Sequence, residues 1–190
     1  MGGMMRKAIF LDRDGTLNDD PGYLSRPEQM ALLPGVGEGL RALVQGGFIL
    51  VVVSNQSGVG RGLIPQGALT QIHQRLQDLL VPYGVVIEHF ELCIHRPEAE
   101  CACRKPKPKL ILDAAQNLGI QLSASYMVGD KLSDIEAGQA AGCKGSLLVR
   151  TGEGRRTEKS WDRLQMPQFI GDSLVETAAW ILGQEEFLSG

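Results

Sequence analysis

The sequence predicts an α/β fold: a doubly wound, mostly parallel sheet with helices on both faces. Three observations predict it. Apolar runs of strand length alternate with segments of helical period, the pattern of βα units. One run, Phe48-Ile49-Leu50-Val51-Val52-Val53, is unbroken, as in a strand covered on both faces. Acidic and glycine-rich stretches follow the apolar runs directly, where an open α/β sheet binds its ligands.

The elements follow in chain order. Ile9-Phe10-Leu11 reads as a buried first strand, ending in Asp12-Arg13-Asp14-Gly15-Thr16. Residues 17–33 read as a loop without helix, because Pro21, Gly22 and Pro27 interrupt it. Pro34 suits a first helical turn; Val36, Leu40, Leu43 and Val44 then form one apolar face, stopped by Gly46-Gly47. The second strand runs through Val53 into Ser54-Asn55-Gln56-Ser57-Gly58-Val59-Gly60-Arg61-Gly62. Leu69, Ile72, Leu76, Leu79 and Leu80 are the buried stripe of the next helix, and His73 beside it reads as packing or surface. Residues 87–92 are a third strand in which His89 is structural. Leu110, Ile111, Ala114, Ala115 and Leu118 mark a helix closed by Gly119. Tyr126-Met127-Val128 is a fourth strand leading to Gly129-Asp130-Lys131. Residues 135–141 form a small-residue helix suited to close packing on the sheet. Ser146–Val149 is a fifth strand, residues 168–170 a sixth, and residues 173–182 a last helix. Arg155-Arg156-Thr157-Glu158-Lys159 reads as a solvated loop. The length of 190 residues suits one domain, residues 1–190.

Composition narrows the function classes. The 22 acidic and 19 basic residues leave a formal charge of −3 with no basic tail, which argues against nucleic acid as a main partner. No apolar run approaches the ~20 residues that span a bilayer. The opening Met1–Arg6 lacks the apolar core of a signal peptide. A cytoplasmic location is expected, with no membrane partner.

Four stretches carry chemistry. Asp12 and Asp14 at a strand's carboxyl end suit a hard cation such as Mg²⁺, and one of them is suited to attack phosphorus. Ser54-Asn55, with Gly58, Gly60 and Gly62 nearby, has the makings of a phosphate cradle, since glycine lets backbone N–H groups approach an anion. It is not a Walker A loop, because no Gly-Lys-Ser/Thr ends it. Arg61 is suited to a second anionic group. Asp130 ends the fourth strand, with Asp134 one helical turn on. Cys93, His95, Cys101 and Cys103 supply three thiolates and one imidazole within residues 93–103. That donor set suits tetrahedral Zn²⁺ with no open position, hence a structural zinc. Arg104, Lys105 and Lys107 follow at once among stiffening prolines. Cys143 stands apart and reads as a buried small residue.

Asp12-Arg13-Asp14-Gly15-Thr16, Ser54-Asn55-Gln56-Ser57-Gly58, Cys93-x-His95…Cys101-x-Cys103-Arg104-Lys105-Pro106 and Gly129-Asp130-Lys131 together resemble the zinc-loop phosphatases of the haloacid dehalogenase (HAD) superfamily. That group includes the heptose bisphosphate and histidinol-phosphate enzymes. The resemblance covers nearly the whole chain. It implies Asp12 as nucleophile and Asp14 as general acid and base. Ser54, Arg104 and Lys105 would act on the phosphoryl charge, with Lys107 the reserve lysine. Asp12, Asp130 and the Asp14 backbone carbonyl would hold Mg²⁺. Asp134 would act through water or as a helix-start carboxylate. Substrate contacts are expected from Asp12, Arg13, Asp14, Asp20, Pro21, Gly22, Tyr23, Ser54, Asn55, Gln56, Ser57, Arg61, Arg104, Lys105 and Lys131.

The stretches around Gly22-Tyr23 and Gln56–Gly62 favour the heptose branch of that family, and Pro21 stands where its loop has histidine. The resemblance implies a Mg²⁺-dependent sugar bisphosphate phosphatase of nucleotide-heptose synthesis, acting as a monomer on a small substrate. No large cap insertion separates the motifs, so short loops should cover the site. The alternatives are histidinol-phosphate phosphatase and a non-catalytic zinc-stabilised binding protein. A nucleic-acid 3′-phosphatase fits the core but not the charge.

Overall fold

In a computed structural model, residues 6–65, 67–161 and 166–187 are described. Six strands form one sheet: β1 (Ala8–Leu11), β2 (Ile49–Asn55), β3 (His89–Cys93), β4 (Tyr126–Gly129), β5 (Gly145–Val149) and β6 (Phe169–Gly171). Their spatial order is β3-β2-β1-β4-β5-β6 and every pairing is parallel. The chain winds outward from β1 in one direction, then returns and winds out in the other. β1 and β4 therefore flank the point where strand order reverses, and a crevice opens beyond their carboxyl ends.

Strand alternation divides the core in two. Ile9, Leu11, Leu50, Val52, Val128, Leu147 and Val149 face one side. There they meet α1 (Val36–Gln45), α3 (Ala68–Leu80) and α7 (Leu174–Phe187) through residues such as Leu40, Leu43, Ile72, Leu76 and Ile181. Ala8, Phe10, Val51, Val53 and Met127 face the other side, against α4 (Lys109–Leu118) and α5 (Leu132–Ala141) through Leu110, Ile111, Ala114 and Ala137. Tight packing of α5 follows from its small residues: a Cβ on Gly138 would meet the Met127 and Ser146 side chains.

Several elements differ from expectation. The first helix begins at Val36, after Gly35 at φ +78°, so Pro34 lies before it. The loop of residues 17–33 contains a 3₁₀ turn, Pro27–Gln29, with Pro27 at its first position. Within the glycine-rich stretch, Ser57–Gly60 is a helical turn, α2. A side chain at Gly58 would strike Ile64 and Tyr23, so the turn packs where a loop would have stood off. Arg155–Lys159 lies in helix α6 (Gly154–Lys159), not in a solvated loop. Cys143 is only partly buried, at the edge of the α4–α5 cluster. The last helix extends to Phe187.

Candidate active site

The first and fourth strands deliver their acids to one point. Asp12 follows β1 and donates its backbone N–H to Val128 O of β4 at 3.0 Å. Asp130 follows β4. Its carboxylate sits against Gly15 (φ +86°) and Gly152 (φ +51°), and a Cβ on either would displace it. Glu153 N donates to Asp130 Oδ2 at 2.8 Å, and Thr157 Oγ1 donates to Asp130 O at 2.8 Å. Helix α6 therefore braces this acid, which explains why Thr157 is buried in a charged segment. Carboxylate oxygens of Asp12, Asp130 and Asp134 all lie within 4.8 Å of one another.

Lys105 enters from the loop before α4. The residue is 3% exposed, and its ammonium lies 2.8 Å from Asp12 Oδ1, 2.6 Å from Val53 O and 2.7 Å from Asp134 Oδ1. Two of its three N–H donors reach Asp12 Oδ1 and Val53 O, and Asp134 Oδ1 faces it as an ion-pair partner. Asn55 holds the Lys105 backbone at both ends: Lys105 N donates to Asn55 Oδ1 at 3.0 Å and Asn55 Nδ2 donates to Lys105 O at 3.1 Å. Lys107, the reserve lysine, points elsewhere and donates to Glu100 O and Cys101 O at 3.2 and 2.7 Å. Lys131 lies across the mouth, 3.3 Å from Asp14 O, 3.9 Å from Asp12 Oδ2, 3.7 Å from Asp130 Oδ1 and 3.7 Å from Asp20 Oδ2.

The charges do not balance without a further cation. Three carboxylates face two ammonium groups. Burial opposes ionisation of Asp12, but Lys105 and Lys131 outweigh it and hold its pKa below the ordinary value. Asp130 is pushed up to about 7, first by burial and then by the charge of Asp12. Asp134 is raised by burial despite Lys105. Surplus negative charge from hard oxygen donors fits Mg²⁺. Asp134 is already committed to Lys105 and to Lys131 N, which donates to its Oδ2 at 3.0 Å. Asp12, Asp130 and Asp134 together offer the carboxylate oxygens that could hold such an ion.

Asp14 faces the pocket from another direction. Arg13 Nη2 donates to both its oxygens at 2.9 Å, Asn18 Nδ2 donates to Oδ1 at 3.0 Å and Gln56 Nε2 donates to Oδ2 at 2.8 Å. The same Gln56 amide donates to Ser54 Oγ at 2.9 Å. That leaves the Ser54 hydroxyl hydrogen available to an anion.

The pocket is lined by Asp12, Asp14, Asp20, Gly22, Tyr23, Ser54, Asn55, Gln56, Ser57, Lys105 and Lys131, all expected from the sequence. Leu24, Gly58, Ile64, Ser133 and Asp134 also line it. Nothing in the sequence marked Leu24 and Ile64 as walls, since each lies in an irregular stretch. Four expected contacts do not line it. Arg13 is fully buried behind Asp14, and Arg61 is turned to Glu98 at 3.3 Å. Pro21 lies outside while its neighbours line the wall. Arg104 is off the pocket, with a buried Nη1 that has no hydrogen-bond partner.

Cys93, His95, Cys101 and Cys103 converge. Sγ–Sγ separations of 3.4 and 3.6 Å and Nδ1–Sγ separations of 3.2 and 3.7 Å match the edges of a zinc tetrahedron with ~2.3 Å bonds, about 3.7 Å. This loop leads into the active site. Cys93 pairs with Asn55 across the sheet, and its carbonyl accepts from Gln56 N at 2.7 Å. Cys103 is two residues from Lys105. Stripping the metal with a strong chelator is expected to lower Tm by roughly 5 °C or more, since structural zinc contributes directly to folding. It is also expected to lower kcat about tenfold or more, because the loop that places Lys105 loosens. Calorimetry and phosphate release before and after zinc is restored check this; an unchanged Tm and kcat would contradict it.

Among the described residues, no helix is long and apolar enough to cross a membrane. A family model for HAD-hydrolase-like proteins matches residues 102–177. The chain is 42% identical over 185 residues to the D-glycero-beta-D-manno-heptose-1,7-bisphosphate 7-phosphatase of Haemophilus ducreyi, with 94% of this chain and 100% of the relative covered. It is 38% identical over 190 residues to the D-glycero-D-manno-heptose-1,7-bisphosphate 7-phosphatase of Thermosynechococcus vestitus, covering 94% and 96%. The fold matches the crystal structure of D,D-heptose 1,7-bisphosphate phosphatase from B. bronchiseptica complexed with magnesium and phosphate. The TM-score is 0.87 at 35% identity, covering 94% of this chain and 99% of that one.

Proposed function

Because the chain belongs to the HAD-like family of D-glycero-D-manno-heptose-1,7-bisphosphate 7-phosphatases, we propose that it hydrolyses the 7-phosphate of that sugar bisphosphate. The products are inorganic phosphate and the heptose 1-phosphate. The observation that carries the reading is the pocket itself: Asp12, Asp14, Ser54 and Lys105 line one cleft at the strand-order reversal.

The steps follow from the side chains. Asp12, kept ionised by Lys105 and Lys131, attacks phosphorus in line, and the bond from phosphorus to the sugar oxygen breaks. Asp14 gives its proton to that oxygen. It then takes a proton from the water that attacks the phospho-aspartate, releasing phosphate and restoring Asp12. Ser54 donates its hydroxyl to a phosphoryl oxygen, and Lys105 counters the charge that develops. Asp12, Asp130 and the Asp14 carbonyl would hold Mg²⁺, which when bound neutralises charge on the phosphoryl oxygens. Zn²⁺ on Cys93, His95, Cys101 and Cys103 holds the loop of residues 93–103. Asp20, Gly22, Tyr23, Gln56, Ser57 and Lys131 surround the sugar side. We place the protein in the cytoplasm, as a monomer of one domain.

The test is a comparison of kcat/KM for heptose 1,7-bisphosphate and histidinol phosphate, with and without Mg²⁺. Mg²⁺-dependent release with a preference for the bisphosphate of at least about 100-fold (roughly 3 kcal/mol of differential binding) is expected. A preference for histidinol phosphate would overturn the substrate. No release from either would favour a non-catalytic binding protein.

A further inference from the structure

We propose that His73 is a positioning residue for the proton transfers: through Arg13 it holds the Asp14 carboxylate in the attitude that serves the leaving oxygen. The proposal rests on the assignment of Asp14 as the acid.

Arg13 is fully buried, and its guanidinium is divided between two tasks. Nε lies 3.1 Å from Asp14 Oδ1, while Nη2 lies 2.9 Å from both carboxylate oxygens and 3.2 Å from Gln56 Oε1. Nη1, on the far side, meets His73 Nε2 at 3.4 Å. Arginine can only donate, so His73 must accept through Nε2, as a neutral ring with its proton on Nδ1. Neutrality is secured: burial, then the charge of Arg13, push the His73 pKa down to about 4, against a smaller opposite effect of Asp14. The ring is also prevented from turning. It stacks on Phe90 of β3, with centroids 4.2 Å apart and planes 14° from parallel.

The guanidinium is a rigid plane, so its two edges move together. While Nη1 is satisfied by His73, the opposite edge stays on Asp14. Without that acceptor a buried N–H is left unpaired, and the fork is drawn toward any other acceptor, rotating its other edge off Asp14. Helix packing alone would need no polar atom here, since Leu69, Ile72 and Leu76 already supply the stripe of α3.

Leaving groups separate positioning from packing. kcat/KM covers steps up to departure of the leaving group. A sugar alkoxide departs only with a proton, whereas p-nitrophenolate departs without one. His73→Phe keeps the stack on Phe90 and removes the acceptor. It is expected to lower kcat/KM for the sugar bisphosphate about 30-fold, as for a small misplacement of a catalytic group, with p-nitrophenyl phosphate changed less than about threefold. His73→Gln, whose amide oxygen can accept from Arg13, is expected to recover most of the loss. Equal loss on both substrates, or no loss on either, would overturn the proposal. His73→Met gives the same ratio if the phenylalanine variant does not fold, and failure of both to fold would make the ring a structural member only. Wild-type protein that releases phosphate from neither compound would instead remove the functional reading beneath the proposal.

Discussion

Lys105→Met is expected to lower kcat about 10³-fold, the scale seen when one preorganised donor is taken from a developing negative charge. The argument is geometric. The ammonium meets Asp12, Asp134 and Val53 O at 2.6–2.8 Å in a site nearly closed to water. Burial alone would favour neutral lysine, yet Asp12 and Asp134 more than compensate and raise its pKa above the ordinary value. Methionine fills similar space and removes the charge. The cluster then keeps Lys131 as its remaining facing cation, so Asp12 loses the stronger of its two countercharges. Breaking a buried ion pair on one side costs about 3–5 kcal/mol, which corresponds to a fall in Tm of roughly 10 °C for a chain of this size. Phosphate release at saturating Mg²⁺ and substrate, beside a thermal melt, checks both. A folded Lys105→Met protein within tenfold of wild type would contradict this role.

The parts legible in the sequence are those written in local pattern. Val51 and Val53 on one face and Leu50 and Val52 on the other make a strand that only a double-sided sheet accommodates. The acids at the ends of β1 and β4 could be read as a pair because an α/β sheet gathers its strand ends at one edge. The cysteine loop was legible because its four donors lie close in sequence. What escaped depends on contacts between distant segments. Arg61 follows a glycine-rich loop, and nothing nearby tells that Glu98 will take it. Thr157 sits among charges in a helix of only six residues, too short for an apolar period, and its partner Asp130 is 27 residues earlier. Arg13 was expected as a substrate contact, lying between Asp12 and Asp14. Successive residues leaving a strand point in opposite directions, so Arg13 points inward to His73 of α3. Asn55 lines the pocket, and nothing nearby in sequence tells that its amide also holds the Lys105 backbone.

Asp12→Asn should abolish turnover, by about 10⁴-fold or more, the scale of losing a covalent nucleophile. The amide is nearly isosteric but carries no charge to pair with Lys105, so Tm should fall, by less than in Lys105→Met because Asp134 still pairs the ammonium. Intact-mass measurement must show that the amide has not deamidated, since a trace of restored aspartate would imitate residual activity. The most direct measurement goes to the bond itself. Wild-type protein is mixed with heptose 1,7-bisphosphate, quenched within the first turnover and treated with borohydride, which reduces an acyl phosphate to an alcohol. Reduction confined to position 12, and absent from the Asp12→Asn protein, is the result predicted here. Phosphate release with no acyl phosphate on the chain, or with it on Asp14, would contradict the account.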